Sequence, residues 1–170
     1  MKESPYLKLT EFAKELLTKR SLEEGMPLIA KYAKDVMQAE RCSIFIYDEV
    51  NNQLWTTLAD GVERITVDAD KGLVGYTIKM KKPIITNDAY NHEAFLAEVD
   101  EWTGYKTQNI VTAPIFNSSR KIIGVLELLN KKGGFGNDDV KFMIFFAHYV
   151  SGFLELLETY LQQEDRDEKI

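Results

Sequence analysis

The side chains with the greatest chemical reach are few: His92, His148 and Cys42, with a glycine cluster at Gly133-Gly134-Phe135-Gly136 and the acidic pair Asp138-Asp139. The two histidines lie far apart in the chain, and neither sits at a spacing that zinc ligands use, so no metal site is expected. Cys42 as a nucleophile would need an adjacent base or a helix N-terminus. It opens an apolar run instead and reads as a small buried core residue. There is no G-x-S-x-G elbow and no phosphate loop ending in Lys-Ser or Lys-Thr; the glycine cluster suits a turn between a strand and a helix. His148, inside Phe145-Phe146-Ala147-His148-Tyr149-Val150, reads as a packed or interface histidine. Asp138-Asp139 falls at a helix start, where carboxylates are favoured by the macrodipole. No constellation for catalysis is left, and the chain is not expected to be an enzyme.

The 170 residues carry 21 basic and 27 acidic side chains, a net charge of −6, and 45% are hydrophobic. A chain of this size buries roughly 70% of its unfolded surface around a single core, which argues for one ordered domain. An acidic chain without a long basic run has little to offer a phosphate backbone or an anionic bilayer. Neither nucleic acid nor membrane is an expected partner. A single cysteine excludes an internal disulfide and a multi-cysteine cage, and a reducing cytoplasm is the expected compartment. The start, Met1-Lys2-Glu3-Ser4-Pro5, leads into charged residues, and no stretch is expected to reach the ~20 apolar residues of a membrane span.

The elements that would hold these residues divide into helical ends and a β-rich middle. Leu9, Phe12, Leu16 and Leu17 recur at helical spacing. Ser21-Leu22-Glu23-Glu24 matches a capping box and predicts a helix from Leu22 to Gln38, with Pro27 as its weak point. Strands are predicted at Cys42–Tyr47, Gln53–Leu58, Arg64–Val67, Pro83–Thr86, Ile110–Phe116 and Lys121–Leu129. Between the third and fourth, Gly72-Leu73-Val74-Gly75 opens a helix whose glycines imply close backbone approach. The polar segment from Asp88 to Thr107, with a helical patch at Glu93–Val99, is long enough to be a lid or binding loop. A helix from Asp138 to Gln163 and a charged, fraying tail close the chain. The pattern is α+β with an antiparallel central sheet.

Four stretches in this order resemble the GAF domain, and specifically the regulatory cyclic-nucleotide-binding GAF domains of phosphodiesterases: 41–48 (RCSIFIYD), 70–75 (DKGLVG), 87–92 (NDAYNH) and 103–110 (TGYKTQNI). A fifth, 124–131 (GVLELLNK), runs on to Phe135 and Asp139 and resembles that subfamily's Asn-Lys, Phe, Asp-Glu signature. Asn130, Lys131, Phe135 and Asp139 fill its first four positions, and Val140 stands where the Glu belongs. The resemblance implies a six-stranded antiparallel sheet, N- and C-terminal helices on one face and a lidded ligand pocket on the other. It implies a structural pair between Lys131 and Asp139 that maintains the pocket. It also implies a ligand set of Ser43, Asp60, the backbone at Leu73 and Val74, Thr103 and Thr107, for a cyclic nucleotide. The amides that open a helix suit a cyclic phosphate, and the Asp60 carboxylate suits a guanine edge better than an adenine edge, so cGMP is expected ahead of cAMP. Ala59 stands where one member type places a base-stacking aromatic. The other reading is that these polar residues line a cavity that takes no nucleotide, or no ligand at all.

The enzymatic branch of this fold, free methionine sulfoxide reductase, relies on several active-site cysteines, and bilin attachment on one in the pocket region; Cys42 alone serves neither. Phe142, Phe145, Phe146, Tyr149, Phe153, Leu156, Leu157 and Tyr160 make an apolar helix face wider than one sheet needs. With the first helix it predicts a homodimer through the terminal helices. The expected division is an N-terminal dimerisation helix over 1–20, a GAF domain over 21–163 and a charged tail over 164–170. The expected function is that of a small-molecule sensor signalling through its terminal helices to a partner protein, or through an output domain if the chain is an excerpt; the alternative is a ligand-free dimerisation or protein-interaction module.

Overall fold

The computed structural model describes residues 4–56, 66–96 and 104–168. Helix α1 spans Pro5–Leu16 and α2 Leu22–Met37; strands β1 (Ala39–Asp48), β2 (Gln53–Trp55) and β3 (Thr66–Asp68) follow. After α3 (Gly72–Met80) come β4 (Ile84–Thr86), a 3-10 turn at Ala89–Asn91, β5 (Ile110–Phe116), β6 (Ile122–Lys131) and α4 (Asn137–Glu168). The six strands form one antiparallel sheet in the order β3-β2-β1-β6-β5-β4. The α+β architecture and the six-stranded antiparallel sheet expected from the sequence are therefore present.

Alternation along the central strands sorts the side chains into two layers. Cys42 and Ile44 of β1, Val111, Ala113 and Ile115 of β5, and Leu126 and Leu128 of β6 pack against α1, α2 and α4 in the main core. Their neighbours point the other way: Phe45 and Val125 meet Val74 of α3, and Ile110 meets Leu73 and Ile84. The helical layer and α3 thus sandwich the sheet.

Several boundaries differ from those predicted. Helix α2 continues through Pro27, whose missing N–H leaves the carbonyl four residues back without its helical donor; Pro27 is on the exposed side of the helix, where that loss is least costly. Its first turn lies against α4, because Gly25 lets the Phe153 ring approach so closely that a Cβ would sit 2.2 Å from Phe153 Cζ. Glu93 and Ala94 form a turn and Phe95 and Leu96 are irregular, in place of the start of a helix, and the rest of that predicted patch lies outside the described residues. The charged tail expected from 164 continues α4 through Glu168. Contrary to the composition-based expectation, one helical stretch, Asn137–Thr159, is long and apolar enough to cross a bilayer, with a mean hydropathy of 1.4. Its apolar content is raised by residues committed to the sheet: Phe142, Met143, Phe146, Val150 and Phe153 are buried.

That same burial removes much of the apolar face expected to form a dimer. Leu9, Phe12 and Leu16 of α1 are buried in the chain's own core, where Phe12 stacks on Phe146 with ring centroids 4.8 Å apart. Of the predicted stripe on α4, Phe142, Phe146, Phe153 and Leu157 point inward, and Phe145 (51% exposed) and Tyr149 (42%) point out. Tyr6 of α1 meets Phe145 edge to face at 6.4 Å, so the outward patch spans both helices. The Tyr160 side chain lies outside the described residues.

Candidate functional site

Registry builds the floor of the site. Ser43 of β1 stands opposite Glu127 of β6, Glu127 stands opposite Thr112 of β5, and Thr112 stands opposite Ile84 of β4. All share the face toward α3, and directly opposed residues in an antiparallel pair have Cβ atoms about 5 Å apart. The result is a polar row, hydroxyl, carboxylate, hydroxyl, across an otherwise apolar sheet face. Ser43 is buried, and its hydroxyl has no hydrogen-bond partner among the described residues. Thr112 is committed to structure. Its Oγ1 lies 2.6 Å from Thr77 Oγ1 of α3 and 3.4 Å from the Ile84 carbonyl; Thr77 donates its single proton to the Leu73 carbonyl at 2.7 Å, so the Thr112 proton is shared between Thr77 and Ile84.

That pair holds α3 across the sheet with its N-terminus open. Lys71 precedes the helix and offers no side-chain cap, and Gly75 N–H is the first to reach back, to the Lys71 carbonyl at 3.2 Å. The amides of Gly72, Leu73 and Val74 are therefore beyond the intrahelical ladder, as the first turn of any helix requires. The glycines make the approach feasible: Gly72 has φ +73°, and a Cβ on Gly75 would sit 2.5 Å from the Ala69 carbonyl oxygen. Leu73 and Val74 bury their side chains on either side of this start.

On the outer side of α3 a cleft of about 670 Å³ opens between Tyr47, Asp70, Lys71, Tyr76 and Phe95. It shares Gly72 and Gly75 with the helix start, but Ser43, Leu73, Val74 and Thr107 do not line it. Of the ligand residues expected from the sequence, Ser43, Leu73 and Val74 sit on the α3 side of the sheet, and Thr107 is buried on the segment that leads into β5. Asp60 and Thr103 lie outside the described residues.

The Asn-Lys, Phe, Asp stretch forms the frame around that segment. Lys131 Nζ is 2.6 Å from Asp139 Oδ1, and Asp139 Oδ2 accepts the Gly136 N–H at 2.8 Å, in the manner of a capping box at the start of α4. Phe135 is buried, with its N–H donated to Asn87 Oδ1 and its carbonyl accepting from Asn87 Nδ2. Asn130 Oδ1 accepts the Gln108 and Asn109 amides at 2.7 and 3.2 Å, and Asn109 returns a pair of bonds to the Lys131 backbone. Val140, in the position of the expected Glu, packs on the main core. Tyr105 donates to Glu40 Oε2 at 2.7 Å beneath the Arg41 guanidinium, and burial followed by the Glu40 contact pushes its phenol well above the ordinary range.

The remaining candidates have structural explanations. Cys42 is fully buried in the main core. His92 Nδ1 accepts the Ala94 amide, and its ring meets Tyr76 edge-on at 5.5 Å. His148, expected to be packed or at an interface, is exposed on α4 beside Pro83, Pro114 and Phe116. Among the described residues no group of three or more His, Cys, Asp or Glu is placed to hold a metal ion. Glu127 has no local signature in the sequence, and its place in the row is set by strand register.

The model of the GAF domain matches residues 21–154. A probable 3',5'-cyclic phosphodiesterase, pde-5, of Caenorhabditis elegans is 30% identical over 144 residues, which cover 76% of this chain and 20% of the relative. The chain thus spans about a fifth of that protein's length. The crystal structure of the GAF domain from an Acinetobacter phosphoenolpyruvate-protein phosphotransferase superposes with a TM-score of 0.80 at 20% identity, covering 95% of this chain and 99% of that one. Free methionine-R-sulfoxide reductase from Neisseria meningitidis, in complex with its substrate, gives 0.78 at 14% identity, covering 94% and 95%. These two likenesses speak for the fold, while the family match and the phosphodiesterase relative speak for descent. With its sheet order, its helical layer and these matches taken together, the chain belongs to the GAF domain family, whose members are regulatory, small-molecule-binding modules.

Proposed function

We propose that this chain is a sensory domain that binds a cyclic nucleotide between the α3 face of its sheet and the start of α3, with cGMP preferred over cAMP. The observation that carries the reading is the buried Ser43 hydroxyl, without a partner among the described residues, beside the Glu127 carboxylate on the sheet face that α3 covers, with the start of α3 carrying no side-chain cap. A helix N-terminus attracts a cyclic phosphate. A carboxylate accepts from the N–H groups of a guanine edge or from a ribose hydroxyl, whereas an adenine edge offers it less. Ser43, Asp60, Leu73, Val74, Thr103 and Thr107 are the proposed ligand set, with Glu127 added. Similarity to a cyclic phosphodiesterase supports the ligand class.

The test is a thermal-shift panel of cGMP, cAMP and cyclic dinucleotides. At a hundredfold excess over its dissociation constant a true ligand stabilises the chain by about 2.7 kcal/mol, and Glu127→Gln should erase the margin of cGMP over cAMP. A flat response to every nucleotide sinks the ligand class, and an unchanged margin in the variant removes Glu127 from the site.

A second reading, a GAF module that acts by dimerisation, is favoured by the outward patch of Tyr6, Phe145 and Tyr149. Large exposed aromatics in one patch mark an interaction surface. Light scattering should return twice the 19.5 kDa chain mass, and Phe145→Glu with Tyr149→Glu should return the monomer with an unchanged helical signal. A monomer in the parent chain at high micromolar concentration overturns it. Sensing and dimerisation are compatible, because the patch lies on the helical layer and Ser43, Glu127, Leu73 and Val74 lie on the opposite face of the sheet.

A further inference from the structure

Asn130 reaches around a single residue. Its Nδ2 donates to the Lys106 carbonyl at 2.8 Å and its Oδ1 accepts the Gln108 amide at 2.7 Å, so one carboxamide grips the backbone on both sides of Thr107. Thr107 is 1% exposed. The second Nδ2 proton goes to the Tyr105 hydroxyl at 2.9 Å, and that hydroxyl passes its own proton to Glu40 Oε2 at 2.7 Å. A chain of bonds ending on a carboxylate polarises in one direction, each bond strengthening the next. The Arg41 guanidinium, 3.5 Å above the Tyr105 ring, closes the assembly from the other side.

Its anchor points are three junctions between elements. Glu40 and Arg41 open β1 directly after α2, Asn130 lies near the end of β6 before α4, and Tyr105 to Asn109 lead into β5. Asn130 has φ +59°, a left-handed conformation that Asn tolerates and most residues do not. The next residue, Lys131, is the one paired with Asp139 of α4.

We infer that Asn130, with Tyr105 and Glu40, is a positioning clasp: it sets Thr107 on the ligand side and ties the approach to β5 to the α2–β1 and β6–α4 junctions. The part that concerns ligand rests on the function proposed above; the clasp itself does not. A ligand that pulls on Thr107 pulls on Asn130, and through it on the start of the helix that leaves the domain. A conformational change of this kind is bounded by the ligand's differential affinity for the two states.

Asn130→Gly tests this cleanly, because glycine accepts the left-handed backbone and only the carboxamide is lost. In the ligand-free full chain, amide exchange followed by NMR should accelerate about tenfold or more at Gln108 and Asn109, while Val111 and Leu126 in the central strands keep their protection. Tyr105→Phe, which keeps the ring beneath Arg41 and removes the hydroxyl, should give a smaller acceleration at the same amides. Equal loss of protection throughout the sheet would make Asn130 a general stability residue, and unchanged exchange at Gln108 and Asn109 would mean there is no clasp; either result overturns the inference. A second arm titrates cGMP into parent and variant. A tenfold weaker affinity in Asn130→Gly supports the positioning of Thr107, and equal affinity refutes it. If the parent itself takes no cGMP, the ligand reading fails alone, and the exchange data still decide the clasp.

Discussion

Phe146→Ala is expected to lower the unfolding free energy by about 3–5 kcal/mol, the range for truncating a buried aromatic. The residue is 1% exposed, stacks on Phe12 of α1 at 4.8 Å and lies 6.0 Å from Phe142 on its own helix. For a chain of this length the loss corresponds to a fall of roughly 10 °C in melting temperature. Phe12→Ala, at a position with no exposed surface, is expected to cost a similar amount. The double variant should fall short of the sum by ~0.5–1.5 kcal/mol, the worth of one aromatic pair. The comparison decides whether α1 belongs to the domain core in solution. If Phe12→Ala costs less than about 1 kcal/mol while Phe146→Ala costs the full amount, α1 is not docked and its apolar face is available to another chain.

The second large effect concerns Asp139. Asp139→Ala removes the partner of Lys131 Nζ and the acceptor of the Gly136 N–H in one step. Exposed ion pairs contribute at most about 1 kcal/mol, whereas breaking a buried one costs ~3–5 kcal/mol. With side chains 26% exposed for Lys131 and 14% for Asp139, this pair falls between, at about 2 kcal/mol. Loss of the cap adds about 1 kcal/mol, for about 3 kcal/mol in all. Asp139→Asn retains an acceptor for Gly136 and should recover the cap's share. Chemical denaturation of the two variants measures the split, and equal losses would show that the charge carries the whole effect. Partial burial also predicts that the cost of Asp139→Asn persists in 1 M salt, where an exposed pair would already be screened.

How far the molecule could be read from its residues depends on the range of the interaction that sets each feature. The strands declare themselves locally, because alternation and turn residues such as Asn117-Ser118-Ser119-Arg120 act within a few positions. The open start of α3 was equally legible, since Gly72 and Gly75 are required by local backbone geometry. Glu127 was not: within Gly124–Lys131 it looks like one polar residue in an apolar strand. Its place between Ser43 and Thr112 exists only once β6 is registered between β1 and β5. The Tyr105–Glu40–Asn130 assembly joins positions 65 and 25 residues apart and has no local signature. The helix face on α1 and α4 was legible as apolar, but hydrophobic spacing is the same whether the cover is the chain's own sheet or a second copy. Phe142 and Phe145 therefore looked alike in sequence and face opposite ways in the fold.

Helix α4 is 32 residues long, and its first turn is held by the Asp139 bonds. At 1.5 Å per residue it measures about 48 Å, so a tilt of about 5° pivoting on that first turn would carry its far end sideways by about 4 Å. The helix is then a lever arm with its fulcrum beside Lys131. Displacements at Asn130 too small to alter the sheet would be magnified there into a movement comparable to a helix radius, which is enough to change the seat of whatever packs against its far end.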